Sequence, residues 1–201
     1  PDGDGNLDAA VINISSSKER QWLGEILNEK LAVVKKIQFS EVPPAMFEWN
    51  GLTDTGALAE DGFYSFKVST TDAAGNTGIA QTAAFELNTG TTEVILTVKD
   101  TAFSPNGDGV KDSLVLTPVI KTKSGISEYT LQIINEAGLV IKNYTDKRTL
   151  PTSFSWNGLS DEGERCADGL YTAKLATISK NGSEALTVTQ PFILDTTFPS
   201  L

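Results

Sequence analysis

Short apolar runs with alternating polar positions recur along the whole chain. Tyr64, Phe66 and Val68 alternate with polar residues, and the same pattern returns at residues 171–175. Successive side chains of a β-strand point to opposite faces, so this period of two gives one buried and one wet face. Clusters of Gly, Asn, Asp and Pro separate the runs at roughly 8 to 12 residues, the spacing typical of β-sandwiches. The pattern therefore predicts an all-β protein.

The chain also contains a tandem repeat. The Trp-Asn-Gly-Leu motif that begins at Trp49 recurs at Trp156, and residues 49–90 align with residues 156–197 without a gap. The Gly-rich and Asp-rich segment at residues 1–5 has its counterpart at residues 105–109. Repeated sequence at such a period indicates repeated structural units, so the two copies are expected to share one fold.

The repeat divides the chain into two domains. We predict one domain over residues 1–90 and a second over residues 91–197, with residues 198–201 beginning a further unit or linker. The run from Glu93 to Phe103 precedes the repeated motifs of the second copy and has no counterpart in the first. The first domain is therefore expected to lack its first strand within this sequence, and the repeated architecture suggests a piece of a longer array.

One stretch, residues 22–36, also has the spacing of a helix, because Leu23, Ile26 and Leu27 would share one helical face. Its counterpart at residues 129–143 has a strand-turn-strand composition with Gly138 at its centre. Homologous units should share one fold, so we predict a β-hairpin in both copies.

Aromatic residues recur at two informative positions of each copy. Trp22 and Tyr129 lie on the predicted third strand, where immunoglobulin-like sandwiches often bury a large aromatic residue. The motif Asp-Gly-x-Tyr, ending at Tyr64 and Tyr171, resembles the tyrosine corner before the sixth strand of such folds. We therefore predict two tandem immunoglobulin-like, or fibronectin III-like, antiparallel β-sandwiches.

Together these motifs resemble two kinds of bacterial module. The series Trp-Asn-Gly, Asp, Gly and Asp-Gly-x-Tyr is similar to the immunoglobulin-like domain of flagellar hook-cap (FlgD-type) proteins. Residues 103–109, Phe-Ser-Pro-Asn-Gly-Asp-Gly, are similar to the start of gliding-motility-associated C-terminal domains. The resemblance implies an extracytoplasmic protein, in the periplasm, on the outer membrane surface or secreted, whose domains are spacers, scaffolds or adhesion modules. A sorting signal of the gliding type would stand once at a C-terminus, so the repetition favours a structural array.

Composition and charge exclude several classes of function. The sequence has no His and a single Cys, Cys166, so Ser-His-Asp, Cys-His and His-zinc chemistry is absent from it. The 16 basic and 26 acidic residues give a net charge of -10, which opposes binding to nucleic acid or anionic lipid. No apolar stretch approaches the roughly 18 residues of a membrane span. We expect a protein that is not an enzyme, whose partners are other repeats of its own polypeptide and a protein or glycan at the cell envelope.

A Gly-rich loop in each copy carries oxygen side chains at alternate positions, as does the first half of a calcium loop. The candidate ligands are Asp2, Asp4, Asn6 and Asp8 in the first copy, and Asn106, Asp108, the Val110 carbonyl and Asp112 in the second. The bidentate Glu that completes a helix-loop-helix calcium site is absent, so calcium would need further ligands such as Asp54 or Asp61. The alternative is a plain tight turn, which favours the same Asn-Gly and Asp-Gly pairs. No other cofactor is expected.

Two acidic residues recur near the Trp-Asn-Gly motif. Asp54 and Asp61, with counterparts Asp161 and Asp168, could be imagined as the carboxylate pair of a glycosidase. All four lie in turn-like contexts and are present in both copies, which favours a structural role in capping turns around the motif.

The two repeated tryptophans separate the candidate functions. As surface aromatics, Trp49 and Trp156 would stack on sugar rings and make the chain a carbohydrate-binding or accessory module of a polysaccharide-acting enzyme. Their equivalent positions at strand ends favour instead a plug for one end of each sandwich. The leading hypothesis is therefore a non-catalytic structural or adhesion spacer segment of a larger protein, stiffened by calcium if the Gly-rich loops bind it.

Overall fold

The computed structural model describes residues 3, 6–122, 124–147 and 149–197. Within these residues the regular secondary structure consists of β-strands. The chain divides into two compact units, Pro1–Thr89 (unit one) and Gly90–Leu201 (unit two). The division falls one residue before the boundary expected from the repeat, and residues 198–201 lie outside the described part. Since the described residues form no helix, none there is long and apolar enough to cross a membrane.

Unit one forms two sheets. β1 and β4 make a two-stranded sheet, and the other sheet has the order β3-β2-β5-β6, with β7 also paired to β5. All of these pairings are antiparallel. The strands are β1 (Ala10–Asn13), β2 (Gln21–Asn28), β3 (Val33–Ser40), β4 (Met46–Trp49), β5 (Gly62–Thr71), β6 (Thr77–Gln81) and β7 (Phe85–Leu87).

Unit two repeats this plan with added strands. One sheet has the order β13-β10-β8, and the other has the order β12-β11-β14-β16-β9, with β15 also paired to β14. The strands are β8 (Glu93–Val98), β9 (Ala102–Phe103), β10 (Leu114–Lys121), β11 (Ile126–Asn135), β12 (Val140–Asp146), β13 (Phe154–Trp156), β14 (Gly169–Ser179), β15 (Glu184–Val188) and β16 (Phe192–Leu194).

One pairing departs from the predicted antiparallel pattern. β9 lies parallel to β16, with Ala102 opposite Ile193 and Phe103 opposite Leu194. The chain crosses from one sheet to the other between β8 and β9, so β9 reaches the edge of the larger sheet running in the same direction as β16. Every other strand pairing in unit two is antiparallel.

The predicted alternation decides which faces are buried. Tyr64, Phe66 and Val68 on β5 are all buried, as are the three apolar residues at 171–175 on β14. The stretch at residues 22–36, for which the sequence also permitted a helix, forms most of the β2–β3 hairpin. The prediction of an all-β fold is confirmed, and the alternation of buried and polar positions is clear on β5 and β14, whereas β6 is exposed throughout.

The tyrosine corner is present in both units. The Tyr64 hydroxyl donates to the carbonyl of Glu60 at 2.6 Å, and the Tyr171 hydroxyl donates to the carbonyl of Ala167 at 2.7 Å. Desolvation raises the pKa of both phenols, assisted by Glu60 at Tyr64 and by Cys166 at Tyr171. Trp22, on β2, is buried as the immunoglobulin-like interpretation requires.

The two cores fill one equivalent position differently. Gly24 lies opposite Val68 in unit one, and Leu131 lies opposite Leu175 in the same register of unit two. A side chain at position 24 would begin 2.9 Å from the rings of both Phe39 and Phe66. The ring of Phe66 therefore lies where an additional side chain on β2 would need space.

Candidate functional site

The Gly-rich loop of unit two is closed by one carboxylate. Gly107 N–H donates to Oδ1 of Asp112, and Gly109 N–H donates to its Oδ2, both at 2.8 Å. Both glycines have positive φ, +86° and +87°, a region that other residues rarely adopt. Their amides converge on Asp112 because of this backbone conformation.

The other candidate ligands of this loop also serve the turn. Asp108 accepts from Val110 N–H at 2.7 Å and from the Asn106 side-chain amide at 3.1 Å. Asn106 in turn accepts from Asp108 N–H at 3.0 Å. The structure thus brings these residues into one loop whose side-chain oxygens already accept hydrogen bonds, as a tight turn requires.

The described residues of the unit-one loop, 3 and 6–8, resemble their counterparts in unit two. Gly3 N–H donates to Oδ1 of Asp8 at 2.9 Å, which is the equivalent of the Gly107 bond. Leu7, with φ of 54°, and Lys111, with φ of 53°, occupy the same unusual left-handed position of their loops. At these described positions the two loops share backbone geometry despite different side chains.

The structure of the two loops does not test the prediction of calcium binding. Two of its ligands, Asp2 and Asp4, lie outside the described residues, and Asn6 is half-buried. Among the residues that the structure describes, no three His, Cys, Asp or Glu side chains come together as a metal site would need. Calcium binding stays a prediction.

The acidic residues after the Trp-Asn-Gly motif fasten their loop to a neighbouring strand. Asp54 accepts from Lys36 N–H at 2.9 Å, and Asp161 accepts from Asn143 N–H at 3.1 Å. The Lys142 ammonium lies 3.1 Å from Asp161, and its hydrogen bond, followed by that of the Asn143 amide, holds the pKa of this carboxyl below its ordinary value. The interpretation as local turn caps therefore needs correction, because both carboxylates reach across to another strand.

The second acidic pair holds the last residues of each unit. Asp61 accepts from the N–H and the hydroxyl of Thr89, both at 2.8 Å. Asp168 accepts from Thr196 N–H at 3.0 Å and from the hydroxyls of Thr196 and Thr197 at 2.9 Å. Desolvation would raise the pKa of Asp168, but the hydrogen bonds from Thr196 and Thr197 outweigh it and lower that pKa. These carboxylates are engaged in hydrogen bonds that hold the end of each unit.

The repeated tryptophans are buried plugs. Trp49 is 2% exposed and Trp156 is 0% exposed. Their indole N–H groups donate at 2.9 Å to the carbonyls of Leu52 and Leu159, which closes the turn that follows each motif. Neither ring is available to stack on a sugar, so the plug interpretation is confirmed and the surface-aromatic interpretation is wrong.

A cleft adjoins the unit-two loop. It has a volume of about 320 Å³, and its lining includes Asp112, Asn157, Arg165 and Cys166. Burial raises the pKa of the Cys166 thiol, which disfavours the thiolate, the reactive form of cysteine. Asp112 accepts hydrogen bonds from two backbone amides. The carboxylate that lines this cleft therefore serves the structure of the loop.

Sequence reasoning missed a buried polar cluster at the entrance to unit two. Thr92 N–H donates to the Ser183 hydroxyl at 3.1 Å, and the hydroxyls of Thr92 and Ser179 are hydrogen-bonded to each other. Asn181 donates to the carbonyl of Gly90 at 2.7 Å. Thr92, Ser179 and Ser183 are buried. Isolated Ser and Thr residues give no motif, so only the folded chain reveals that they meet.

Part of unit two is similar to a known protein family. Residues 96–190, slightly less than half of the chain, match the family model of the CHU_C type IX secretion signal domain. Similarity to a domain of this description indicates an extracytoplasmic protein, secreted or held at the cell surface, as predicted. No curated protein matched the sequence. The repeat argument had disfavoured a sorting signal as the role of this chain.

Solved structures are similar to this chain in fold. Chicken CNTN1 FN1-FN3 domains match with a TM-score of 0.50 and 12% identity, covering 94% of this chain and 64% of that one. Fibronectin(III)-like modules of Clostridium thermocellum CbhA match with a TM-score of 0.44 and 14% identity, covering 94% and 84%. A tetra-tandem repeat in the extending region of a large adhesion protein matches with a TM-score of 0.43 and 15% identity, covering 96% and 47%, so this chain spans about half its length. The tandem immunoglobulin-like or fibronectin III-like fold is confirmed, while the hook-cap resemblance stays a prediction.

Proposed function

We propose that this chain is a stiff structural or adhesion spacer segment of a larger extracytoplasmic protein. Support comes from the repetition of one sandwich, from the structural engagement of the carboxylates described above, and from the burial of both repeated tryptophans. The alternative of a carbohydrate-binding module loses the aromatic platform on which it depended.

The repetition of one sandwich is the observation that carries this proposal. Both units contain a buried tryptophan plug and a tyrosine corner. In each unit a carboxylate also holds the last residues, Asp61 in unit one and Asp168 in unit two. Repeated units of one fold build extended arrays, which is the architecture that a spacer needs.

Rotational diffusion tests the stiffness that a spacer needs. We expect NMR relaxation to give one rotational correlation time for the whole chain, longer than that of residues 1–89 or residues 90–201 expressed separately. The two separate segments are the controls, since each reports the tumbling of a single unit.

Independent tumbling of the two units in the native chain would contradict the spacer proposal.

Thermal unfolding in calcium and in chelator tests whether the Gly-rich loops bind calcium. If calcium binds between Asp2 and Asp8, millimolar calcium should raise the melting temperature of unit one, and Asp8→Ala should abolish that rise. A smaller response is expected from unit two, since its loop has Asn106 where the loop of unit one has Asp2, and fewer carboxylates lower the affinity for calcium. Identical melting of both units in calcium and in chelator would leave the plain turn as the role of both loops.

A second candidate function rests on the family match over residues 96–190. Unit two would serve as the signal that a type IX secretion machinery recognises. A reporter protein fused to residues 90–201 should then be exported from a bacterium with that machinery, whereas the same reporter fused to residues 1–89 should be retained. Retention of both fusions would contradict the signal function, and export of both would remove its assignment to unit two.

A further inference from the structure

The β2–β3 hairpin of unit one has the same turn as its counterpart in unit two. Leu31 N–H donates to the Asn28 carbonyl at 2.8 Å, and Gly138 N–H donates to the Asn135 carbonyl at 2.9 Å. The side-chain oxygens of Asn28 and Asn135 each accept two further backbone amides within their turns. The two turns therefore share a hydrogen-bond pattern and differ in the side chains that they present.

Leu31 is an unfavourable residue for this turn. It adopts φ of 60°, and Gly138 adopts φ of 78° at the same position. This left-handed region suits glycine, whereas the β-carbon of any other residue is crowded there. Leu31 is also 70% exposed, so little burial within unit one offsets the cost. Strain at an exposed residue points to a role outside the folding of the unit.

Leu31 shares a cleft with an exposed aromatic residue. The cleft has a volume of about 320 Å³, and its lining includes Leu31, Phe63 and Ala84. Phe63 is 49% exposed, and in the part of the chain that the structure describes it is the one exposed aromatic residue. These three side chains form an exposed apolar surface around one concavity, which we call the hairpin patch. Exposed apolar surface of this kind marks interaction sites.

Acidic residues surround the hairpin patch. Glu29 lines the cleft, and Glu86 on β7 lies opposite the aromatic residue of the patch. Desolvation raises the pKa of Tyr64, another residue of the lining, and the charges of Glu60 and Glu29 raise it further. Lys30, the basic residue of the hairpin, is not part of the lining. Unit one as a whole has 13 acidic and 6 basic residues, a net charge of -7.

Unit two has different residues at the positions that form this surface. Where unit one has Leu31, Phe63, Glu60 and Glu86, unit two has Gly138, Leu170, Ala167 and Ile193. Since both units adopt the same turn, the repeated fold does not require the side chains of unit one. An apolar patch with acidic surroundings is therefore a property of unit one alone within this repeat.

The polar side chains of the cleft are already engaged in hydrogen bonds. The Gln81 side-chain amide donates to the Ser65 hydroxyl at 2.9 Å, and the Thr82 hydroxyl accepts from Phe66 N–H at 3.0 Å. The Tyr64 hydroxyl donates to a backbone carbonyl. A glycan would need uncommitted polar groups to fix its orientation. The cleft offers apolar surface and negative charge instead, which fit an apolar side chain that lies between basic ones.

We propose that the hairpin patch is a docking site for a separate protein that presents an apolar side chain between lysines or arginines. The apolar side chain would contact Leu31 and Phe63, and its basic neighbours would face Glu29 and Glu86. Complementary charge speeds encounter and fixes orientation, while the desolvated apolar contact supplies most of the affinity. A second copy of this chain is a poorer partner, because two units of net charge -7 repel each other. This inference goes beyond the spacer function and holds whether or not the two units tumble together.

A short cationic peptide tests the proposal on the full chain. The probe has two leucines between two pairs of lysines, with both termini blocked. In the assigned amide NMR spectrum we expect it to shift the signals of residues 28–32, 63–65 and 81–84, and we expect added salt to weaken the effect. Peptides with serine in place of leucine, or glutamate in place of lysine, should leave these signals unchanged. No shift at these residues, or an equal effect of the glutamate peptide, would overturn the proposal.

The Leu31→Gly variant separates a binding role from a structural one. It relieves the strained turn and should raise the melting temperature of unit one by about 3–6 °C. It also removes an apolar contact, so the affinity for the peptide should fall about fivefold or more. A leucine that served only the structure would not combine higher stability with weaker binding.

Gly138→Leu is the matched control. It places the same side chain in the turn of unit two, whose surroundings lack the counterparts of Glu60 and Glu86. We expect a lower melting temperature of unit two and no new peptide site. Unchanged affinity in Leu31→Gly, a melting temperature of unit one that does not rise in that variant, or self-association of the peptide-free chain in light scattering would each rule out the proposed docking site.

Discussion

Replacement of Trp156 by alanine should unfold unit two. Its ring centroid lies 5.2 Å from Phe103, 5.0 Å from Tyr171 and 6.1 Å from Phe192. The substitution also leaves the carbonyl of Leu159 without the indole donor. Truncation of a buried aromatic residue costs about 3–5 kcal/mol, a large part of the 5–15 kcal/mol that stabilises a typical domain. In differential scanning calorimetry we expect the transition of unit two to fall steeply or vanish while that of unit one remains.

Leu186→Ala is the matched control for this experiment. It also truncates a large apolar residue of unit two, but Leu186 is 60% exposed and its loss should change stability by less than about 0.5 kcal/mol. Trp156→Phe should fall between the two, because it keeps the ring contacts and loses the indole hydrogen bond. A normal transition of unit two in Trp156→Ala would contradict the role of this residue as the plug of the sandwich.

The fold was predictable because its signals are local and repeated. The alternation around Phe66 depends only on the geometry of a strand, and the bonds of Tyr64 and Tyr171 reach back four residues along the chain. The hairpin at residues 22–36 needed the second copy, since its apolar spacing by itself also satisfied a helix. Comparison of two sequences with one fold resolved an ambiguity that neither sequence resolves by itself.

The roles of the acidic residues were not predictable in the same way. Asp54 and its partner Lys36 are 18 residues apart, and Asp61 and Thr89 are 28 residues apart. Both bonds exist because strand pairing brings distant segments together, and the turn-like context of each Asp carries no information about that pairing. The residues of the buried polar cluster in unit two are even further apart along the chain, since Thr92 and its partner Ser183 are separated by 91 residues. The sequence correctly indicated a structural role for Asp54 and Asp61. It was wrong about their partners, which lie in distant segments and not in the turns around the Trp-Asn-Gly motif.

The Gly-rich loops show a different limit of prediction from the sequence. Their glycines predicted positive φ correctly, but Leu7 and Lys111 also adopt it, and neither residue type favours that conformation. The carboxylates of Asp8 and Asp112 supply a physical reason, because each accepts a backbone amide bond that closes its loop. Loop closure stabilises a positive φ that Leu7 and Lys111 would not favour by themselves. The φ at these two positions is therefore determined by the hydrogen bonds of the loop and not by the residue type.

The second large effect concerns a small and a large core residue that lie on neighbouring strands. Unit one has Gly24 on β2 and Phe66 on β5, where unit two has Leu131 and Ala173. Gly24→Leu should destabilise unit one by about 1–3 kcal/mol, because the new side chain starts 2.9 Å from the rings of Phe39 and Phe66. Phe66→Ala should cost about 3–5 kcal/mol, because it empties a buried position. The double variant reproduces the Leu131 and Ala173 combination of unit two, where those residues occupy the same registers. We expect it to be more stable than the sum of the two single losses predicts, by roughly 1–3 kcal/mol.

Urea unfolding of the native chain, the two single variants and the double variant measures this coupling as a double-mutant cycle. The reverse exchange, Leu131→Gly with Ala173→Phe, provides a matched cycle in unit two, and its coupling should have the same sign. Phe66→Ala with Ile79→Ala is a control pair, since Ile79 is an exposed residue of β6 and should add to the Phe66 loss without coupling. Strict additivity of Gly24→Leu and Phe66→Ala would show that the ring of Phe66 does not fill the space left by the missing side chain at position 24. The coupling matters for the repeat as a whole, because it would explain how two units keep one fold while their sequences diverge inside the core.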